Sequence, residues 1–181
     1  MSQYSQALDE LGRVAESIDP RGVDRSLDLI AAAGRIVAYG CGREGLQLRG
    51  LVMRLHHLGL SAAMQGDMAA PPLGPGDLFV CSAGPGDLPT VTALMRVARE
   101  AGADVLLMTA EPERAPRKFA TQILTIPAQT MARDIGGGSV LPMGSLYEGA
   151  LFLLFEIMVL RLRDRLGETS ESMRARHTNM E

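Results

Sequence analysis

The residues best placed to do chemistry in this chain sit in two glycine-bearing turns. Gly40-Cys41-Gly42-Arg43-Glu44-Gly45 follows a β-rich run, Arg35 to Tyr39, and leads directly into an amphipathic segment, Leu46 to Leu58. Strand, glycine turn and helix in that order present backbone N–H groups and a helix N-terminus to an anionic ligand. Ala83-Gly84-Pro85-Gly86-Asp87 also follows an apolar strand and opens a helix. On neighbouring strands the two turns face one crevice, which makes Gly40, Gly42, Arg43, Gly84, Gly86 and Asp87 candidate ligand-binding residues. The first turn formally satisfies G-x-G-x-x-G. The strand after it, Ser61 to Met64, ends without a ribose-binding acid, and Asp67 comes late in a loop, so a dinucleotide site is disfavoured. Three His and no Cys/His pair at ligand spacing supply no metal shell.

The elements that must position these turns alternate along the chain. Ser2 to Ser17 reads as an amphipathic helix, and Asp19-Pro20 stops it and starts a second one through Ala31. Strands are expected over Ile36–Tyr39, Ser61–Met64, Asp77–Ser82, Asp104–Thr109 and Gln122–Ile126. Helices are expected over Arg43–Leu58, Leu88–Ala101 and Pro112–Phe119, with Pro127 to Pro142 a loop whose Gly136-Gly137-Gly138 is mobile. Leu146 to Leu166 is the longest helix, apolar almost all round until Arg161, so it is either centrally packed or an oligomer interface. A short helix, Glu171 to Arg176, precedes the tail. Five strands alternating with helices imply an α/β, three-layer αβα sandwich on a mostly parallel sheet. Its parts are a helical arm (1–33), an α/β core (34–127) and C-terminal helices and tail (143–181), one domain of 181 residues.

Composition narrows the function. A formal charge of −3 gives no basic field for nucleic acid. The N-terminus has no signal-peptide core, and the run Gly149 to Leu160 is too short to span a bilayer, so no membrane partner and a cytoplasmic location are expected. Two cysteines make no disulfide framework; Cys41 and Cys81 read as buried thiols, with a redox pair as the alternative. Eleven Met, no Trp and the greasy last helix point to a homo-oligomer, dimer or tetramer. Arg161, Arg163, Arg165, Arg174 and Arg176 read as a solvated face, with a phosphate-holding interface as the alternative.

Several stretches resemble a sugar isomerase (SIS) domain, and within it the 6-phospho-3-hexuloisomerase family. Gly40-Cys41-Gly42-Arg43 resembles that family's G-x-G-R turn, and Met53-Arg54-Leu55-His56-His57-Leu58-Gly59 its M-R-L-x-H-L-G helix end. Gly74-Pro75-Gly76-Asp77-Leu78 resembles G-x-G-D-L. Leu141-Pro142-Met143-Gly144-Ser145-Leu146-Tyr147-Glu148 is similar to P-L-G-T-x-F-E, and Arg176-His177-Thr178-Asn179-Met180-Glu181 to R-H-A-N-L-E. The resemblance implies interconversion of a 3-ketohexose 6-phosphate and fructose 6-phosphate through an enediol, with no metal or organic cofactor. It implies Glu148 as the base, His177 as the group that opens the ring or passes a proton, and His57 as a further member. It also implies a homo-oligomer whose site is completed by a neighbouring subunit. Taken alone, Glu148 is a first-turn capping acid and His177 a solvated tail residue.

The chain departs from that family at the phosphate site. The family's S-G-S-G-E-T turn is Ala83-Gly84-Pro85-Gly86-Asp87-Leu88 here, the Ser after G-x-G-R is Glu44, and G-E-T-T-T-P is Gly66-Asp67-Met68-Ala69-Ala70-Pro71. The hydroxyls are gone and Pro85 removes a backbone donor. Hydrogen bonds to a charged group contribute about 1.5–3 kcal/mol each, so losing three or four costs on the order of a thousandfold in affinity or more. Ser82 and Thr90 are the nearest hydroxyls left. The expectation is an aldose–ketose isomerase acting on a sugar or sugar phosphate through a reworked site. The alternative is a non-catalytic SIS-type binding or regulatory protein for a neutral or cationic carbohydrate derivative, with Glu44, Asp67 and Asp87 around the turn.

Overall fold

The computed structural model describes residues 2–133 and 138–180. Helix α1 (Gln3–Ser17) starts at Ser2, whose hydroxyl accepts from the Ser5 N–H; α2 (Pro20–Ala32) starts at Asp19, whose carboxylate accepts from the Arg21 and Gly22 N–H groups. Proline in the first turn forfeits no helical hydrogen bond, which is why Asp19-Pro20 both ends one helix and begins the next. Strands β1 (Ile36–Gly40), β2 (Ala62–Met64), β3 (Leu78–Ser82), β4 (Asp104–Thr109) and β5 (Gln122–Thr125) follow. Helix α3 (Gly42–His57) follows β1, α4 (Pro89–Glu100) follows β3, and α5 (Ser145–Leu166) and α6 (Ser170–Ala175) come last.

The sheet order is β2-β1-β3-β4-β5 and all four pairings are parallel. From β1 the chain steps outward to β2, then returns past β1 to β3 and continues the other way. Crossovers of one hand then put α3 and α4 on opposite faces. The side chains follow with a period of two. Ile36, Ala38, Leu78, Val80, Leu106 and Met108 pack with α2, α3 and α5, whereas Val37, Phe79, Cys81, Val105 and Leu107 pack with Val91, Met95 and Ala98 of α4.

Two local expectations change. Pro112–Phe119 is not a helix; only Arg117–Phe119 forms a 3-10 turn. Pro116 lacks the N–H that a helix through this stretch needs, and it pushes Ala115 out of helical geometry. The loop after β5 carries a second 3-10 turn, Met131–Arg133. Gly136 and Gly137, expected in a mobile loop, lie outside the described residues, as does Glu181.

Helices α3 and α5 lie side by side and point the same way. Arg43 meets Ser145 near their starts, and Arg54 pairs with Glu156 eleven residues further along each. One side of α5 is buried, including Leu151, Phe155, Met158 and Leu162, but Phe152 (60% exposed), Ile157 and Leu160 face outward, as do Leu46 and Met53 of α3. Among the described residues no helix is long and apolar enough to cross a membrane.

Candidate active site

A cavity of about 380 Å³ opens at the carboxyl ends of β1 and β3, where the sheet order reverses. Three helices begin at it. The residues preceding α3, α4 and α5, namely Cys41, Leu88 and Gly144, all line it, and none caps its helix with a side chain. Helices α1, α2 and α6 start elsewhere and are each capped, by Ser2, Asp19 and Thr169. An uncapped start leaves N–H donors and the positive end of the helix dipole for whatever enters the cavity.

Local sequence brings these starts together. A Cβ on Gly45 would sit 2.4 Å from the Gly40 carbonyl oxygen, so only glycine lets α3 begin this close to the end of β1. Before α5, Met143 (φ 53°) and Gly144 (φ 84°) are both left-handed. That reversal aims the Met143 carbonyl at the Arg43 guanidinium, which donates to it at 2.8 Å.

Arg43 organises one wall. Its Nη1 donates to Ser145 Oγ at 3.0 Å, and its Nε lies 2.9 Å from Glu148 Oε2. Glu148 stands in the first turn of α5, 15% exposed. Burial pushes its carboxyl above the ordinary value, against the pull of Arg43. A carboxylate so placed can take a proton from carbon and give it back, and the guanidinium keeps its orientation fixed.

Glu44 organises the opposite wall. It lies in the first turn of α3, 9% exposed, and turns across the crevice to the end of β3. Ser82 Oγ donates to its Oε2 at 2.5 Å, and the Gly84 N–H donates to both carboxylate oxygens at 3.1 and 3.2 Å. With its proton on Glu44, Ser82 Oγ accepts from the buried Tyr147 hydroxyl at 3.1 Å. Burial raises the Glu44 carboxyl, these donors lower it, and the nearby charge of Glu148 raises it again; the net direction is up. A Cβ on Gly84 would come 3.0 Å from both Glu44 Oε1 and the Tyr147 ring, so glycine at 84 lets this approach form without displacing either.

The expected site residues are only partly brought together. Gly42, Arg43 and Glu148 line the cavity, and Gly40 and Gly84 stand at the strand ends beneath it. Gly86 packs against Glu111 and Arg114. Asp87 is exposed and accepts from Thr92 Oγ1 at 2.6 Å, outside the cavity lining, and Asp67 accepts from the Met64 N–H. Of the three acids expected around the turn, Glu44 alone reaches the cavity.

His57 and His177 are at the other end of α3. Their rings lie 5.2 Å apart in a cavity of about 440 Å³ that Arg54, Arg163 and Arg174 also line. Arg43 and His57 are fourteen helical residues apart, about 21 Å at 1.5 Å per residue. One chain therefore does not bring its Glu148 to its own histidines. Arg161 and Arg165 pair with Asp24 of α2, and Arg176 pairs with Glu168 and donates to the His57 carbonyl, so these three are structural ties.

Sequence reasoning missed Tyr147 and Thr130. Tyr147 adjoins Glu148 at an inward helical position, a signal that was present. Thr130, 2% exposed, lines the cavity with its Oγ1 lacking a hydrogen-bond partner among the described residues, and nothing in its loop sequence singles it out. Cys41 and Cys81 are both free; Cys81 is buried, and burial raises its thiol. Among the described residues no group of three His, Cys, Asp or Glu could hold a metal ion.

No protein-family model matches the chain. It is 32% identical over 180 residues to the 3-hexulose-6-phosphate isomerase of Bacillus subtilis, covering 98% of this chain and 96% of that protein. It is 33% identical over 183 residues to the 3-hexulose-6-phosphate isomerase of Mycobacterium gastri, covering 99% and 90%. A crystal structure of a hypothetical protein from Methanococcus jannaschii, with an inferred molecular function of 3-hexulose-6-phosphate isomerase, superposes with a TM-score of 0.86 at 20% identity over all of both chains.

Proposed function

The chain belongs to the family of the 3-hexulose-6-phosphate isomerases, and from that premise we propose that it is a sugar isomerase in which Glu148 shuttles a proton between adjacent carbons of a hexose or hexose phosphate, moving the carbonyl by one position. The observation that carries this reading is the Glu148–Arg43 pair at the mouth of the switch-point cavity. The Glu148 carboxylate takes the proton next to the substrate carbonyl, leaving an enediol, and returns it to the neighbouring carbon. The oxygens exchange a proton in the opposite sense, so the reaction is balanced without an external oxidant or reductant. No cofactor is required by this route.

His177 serves this reaction in trans. A homodimer formed through the outward apolar side chains of α3 and α5, including Met53, Phe152, Ile157 and Leu160, covers a surface that water otherwise meets. With α3 and α5 pointing the same way, a two-fold axis in this face and perpendicular to both helices sets the Glu148 end of one protomer against the His57–His177 end of its partner. The site is then completed at the subunit interface, with His177 of the partner subunit assisting ring opening. A tetramer doubles the same pair. The expected place of action is the cytoplasm, on a small-molecule sugar.

The test is isomerisation of fructose and fructose 6-phosphate in deuterium oxide. Wild type incorporates solvent deuterium at the carbon bearing the transferred proton, and Glu148→Gln loses turnover by about a thousandfold, within the range for removal of a general base. Full activity in Glu148→Gln, or isomerisation by direct transfer together with unchanged rates, contradicts the assignment of the base.

A further inference from the structure

The crevice between β1 and β3 has the parts of an anion cradle: the Gly84 N–H and Ser82 hydroxyl at the end of β3, and the uncapped starts of α3 and α4 beside them. The chain fills that cradle with its own carboxylate. Glu44 accepts hydrogen bonds from the Ser82 hydroxyl and the Gly84 N–H, is 9% exposed, and fits so closely that a Cβ on residue 84 would press against it at 3.0 Å. Pro85, the next residue, contributes no N–H.

The rest of the cavity does not compensate. Arg43 is the sole cationic side chain among its described lining residues, and three of its five N–H groups are committed to Glu148, Ser145 and the Met143 carbonyl. Glu44 and Glu148 together outweigh it, leaving a formal charge of −1 on the lining when both are ionised. Pro85, Leu88, Met131 and Met143 offer apolar surface for the C–H face of a sugar ring. The buried Thr130 Oγ1, without a partner among the described residues, is free to meet a neutral hydroxyl.

We propose that Glu44 is the specificity-determining residue of this site: it acts as a built-in anion in the β3–α4 cradle, so the crevice selects a sugar that carries no phosphate there. A phosphate entering the cradle must expel a buried carboxylate from its three hydrogen bonds or lie against it with like charge. The choice of a sugar as ligand rests on the isomerase reading; the exclusion of phosphate rests on Glu44 alone.

The experiment measures binding of inorganic phosphate, fructose and fructose 6-phosphate to wild type, Glu44→Ser and Glu44→Gln by calorimetry, with turnover of both sugars followed in parallel. In wild type, fructose 6-phosphate binds no tighter than fructose, and phosphate gives no measurable heat at millimolar concentration. Glu44→Ser frees two donors and removes the like charge. It should gain about a hundredfold in affinity for fructose 6-phosphate and acquire phosphate binding, since each hydrogen bond to a charged group is worth roughly ten- to a hundredfold. Glu44→Gln, nearly isosteric, gains less and decides the matter should the serine variant not fold. Wild type preferring fructose 6-phosphate over fructose by more than about tenfold overturns the proposal, as does a folded pair of variants that gains no phosphate affinity. If neither sugar is turned over by any form, the isomerase reading fails, while the phosphate arm still decides the role of Glu44.

Discussion

At one end of the α3–α5 pair, Glu44, Glu148 and Arg43 gather beneath three helix starts that have no side-chain caps; at the other, His57 and His177 stand among Arg54, Arg163 and Arg174. The first end has carboxylates and no imidazole, the second imidazoles and cations with no carboxylate among the cavity's described lining residues. An acid–base reaction that uses both sets has to draw them from two chains. The helices that begin at the first end also differ from α1, α2 and α6, whose capping side chains close off their N-termini. Uncapped starts cost helix stability of about 1 kcal/mol each and are retained here on one side of the molecule only.

The largest break in this comparison comes from separating the chains. Ile157→Asp places a charge on the outward face of α5 without touching either cavity lining. It should yield a folded monomer by ultracentrifugation with turnover reduced about a hundredfold or more, the usual contribution of one positioned acid–base group. A folded, fully active monomer would show that one chain suffices.

A smaller effect sharpens the role of the acidic end. Burial holds the Glu148 carboxyl above its ordinary value and Arg43 opposes that shift. A base works in its deprotonated form, so kcat/KM falls as pH drops through this raised pKa. Arg43→Met removes the opposing pull and should move the acid limb of the profile to higher pH. An acid limb that stays put or moves down assigns that limb to another group.

The smallest expected effect is on stability. Ser82→Ala deletes the donor to Glu44 and the acceptor of the Tyr147 hydroxyl, both buried. Chemical denaturation should show a loss of about 1–3 kcal/mol, the cost of leaving buried polar groups unpaired. No loss would mean that Glu44 is held by the Gly84 N–H alone.

Much of this was legible in the amino acids. The apolar runs of β1, β3 and β4, each followed by glycine or a helical pattern, announce a parallel sheet, and Asp19-Pro20 marks a helix boundary through a steric rule that tertiary context does not override. The Pro112–Phe119 stretch misled because its charged residues suit a helix while Pro116 forbids one. The direction of Glu44 was not legible, because a first-turn side chain can cap its own helix, face water or cross to a neighbouring strand, and only the approach of β3 selects the last. The separation of His57 from the glycine turn was legible all along: fourteen helical residues fix it whatever packs nearby.

The most direct test of a site shared between chains is complementation. Glu148→Gln and His177→Ala, each with turnover reduced about a hundredfold or more, are mixed and allowed to exchange subunits, with exchange verified by mass. Random pairing makes half of the dimers mixed, each with one intact site, so about a quarter of wild-type activity should return. Verified exchange with no recovered activity would contradict a site built from Glu148 of one protomer and His177 of its partner.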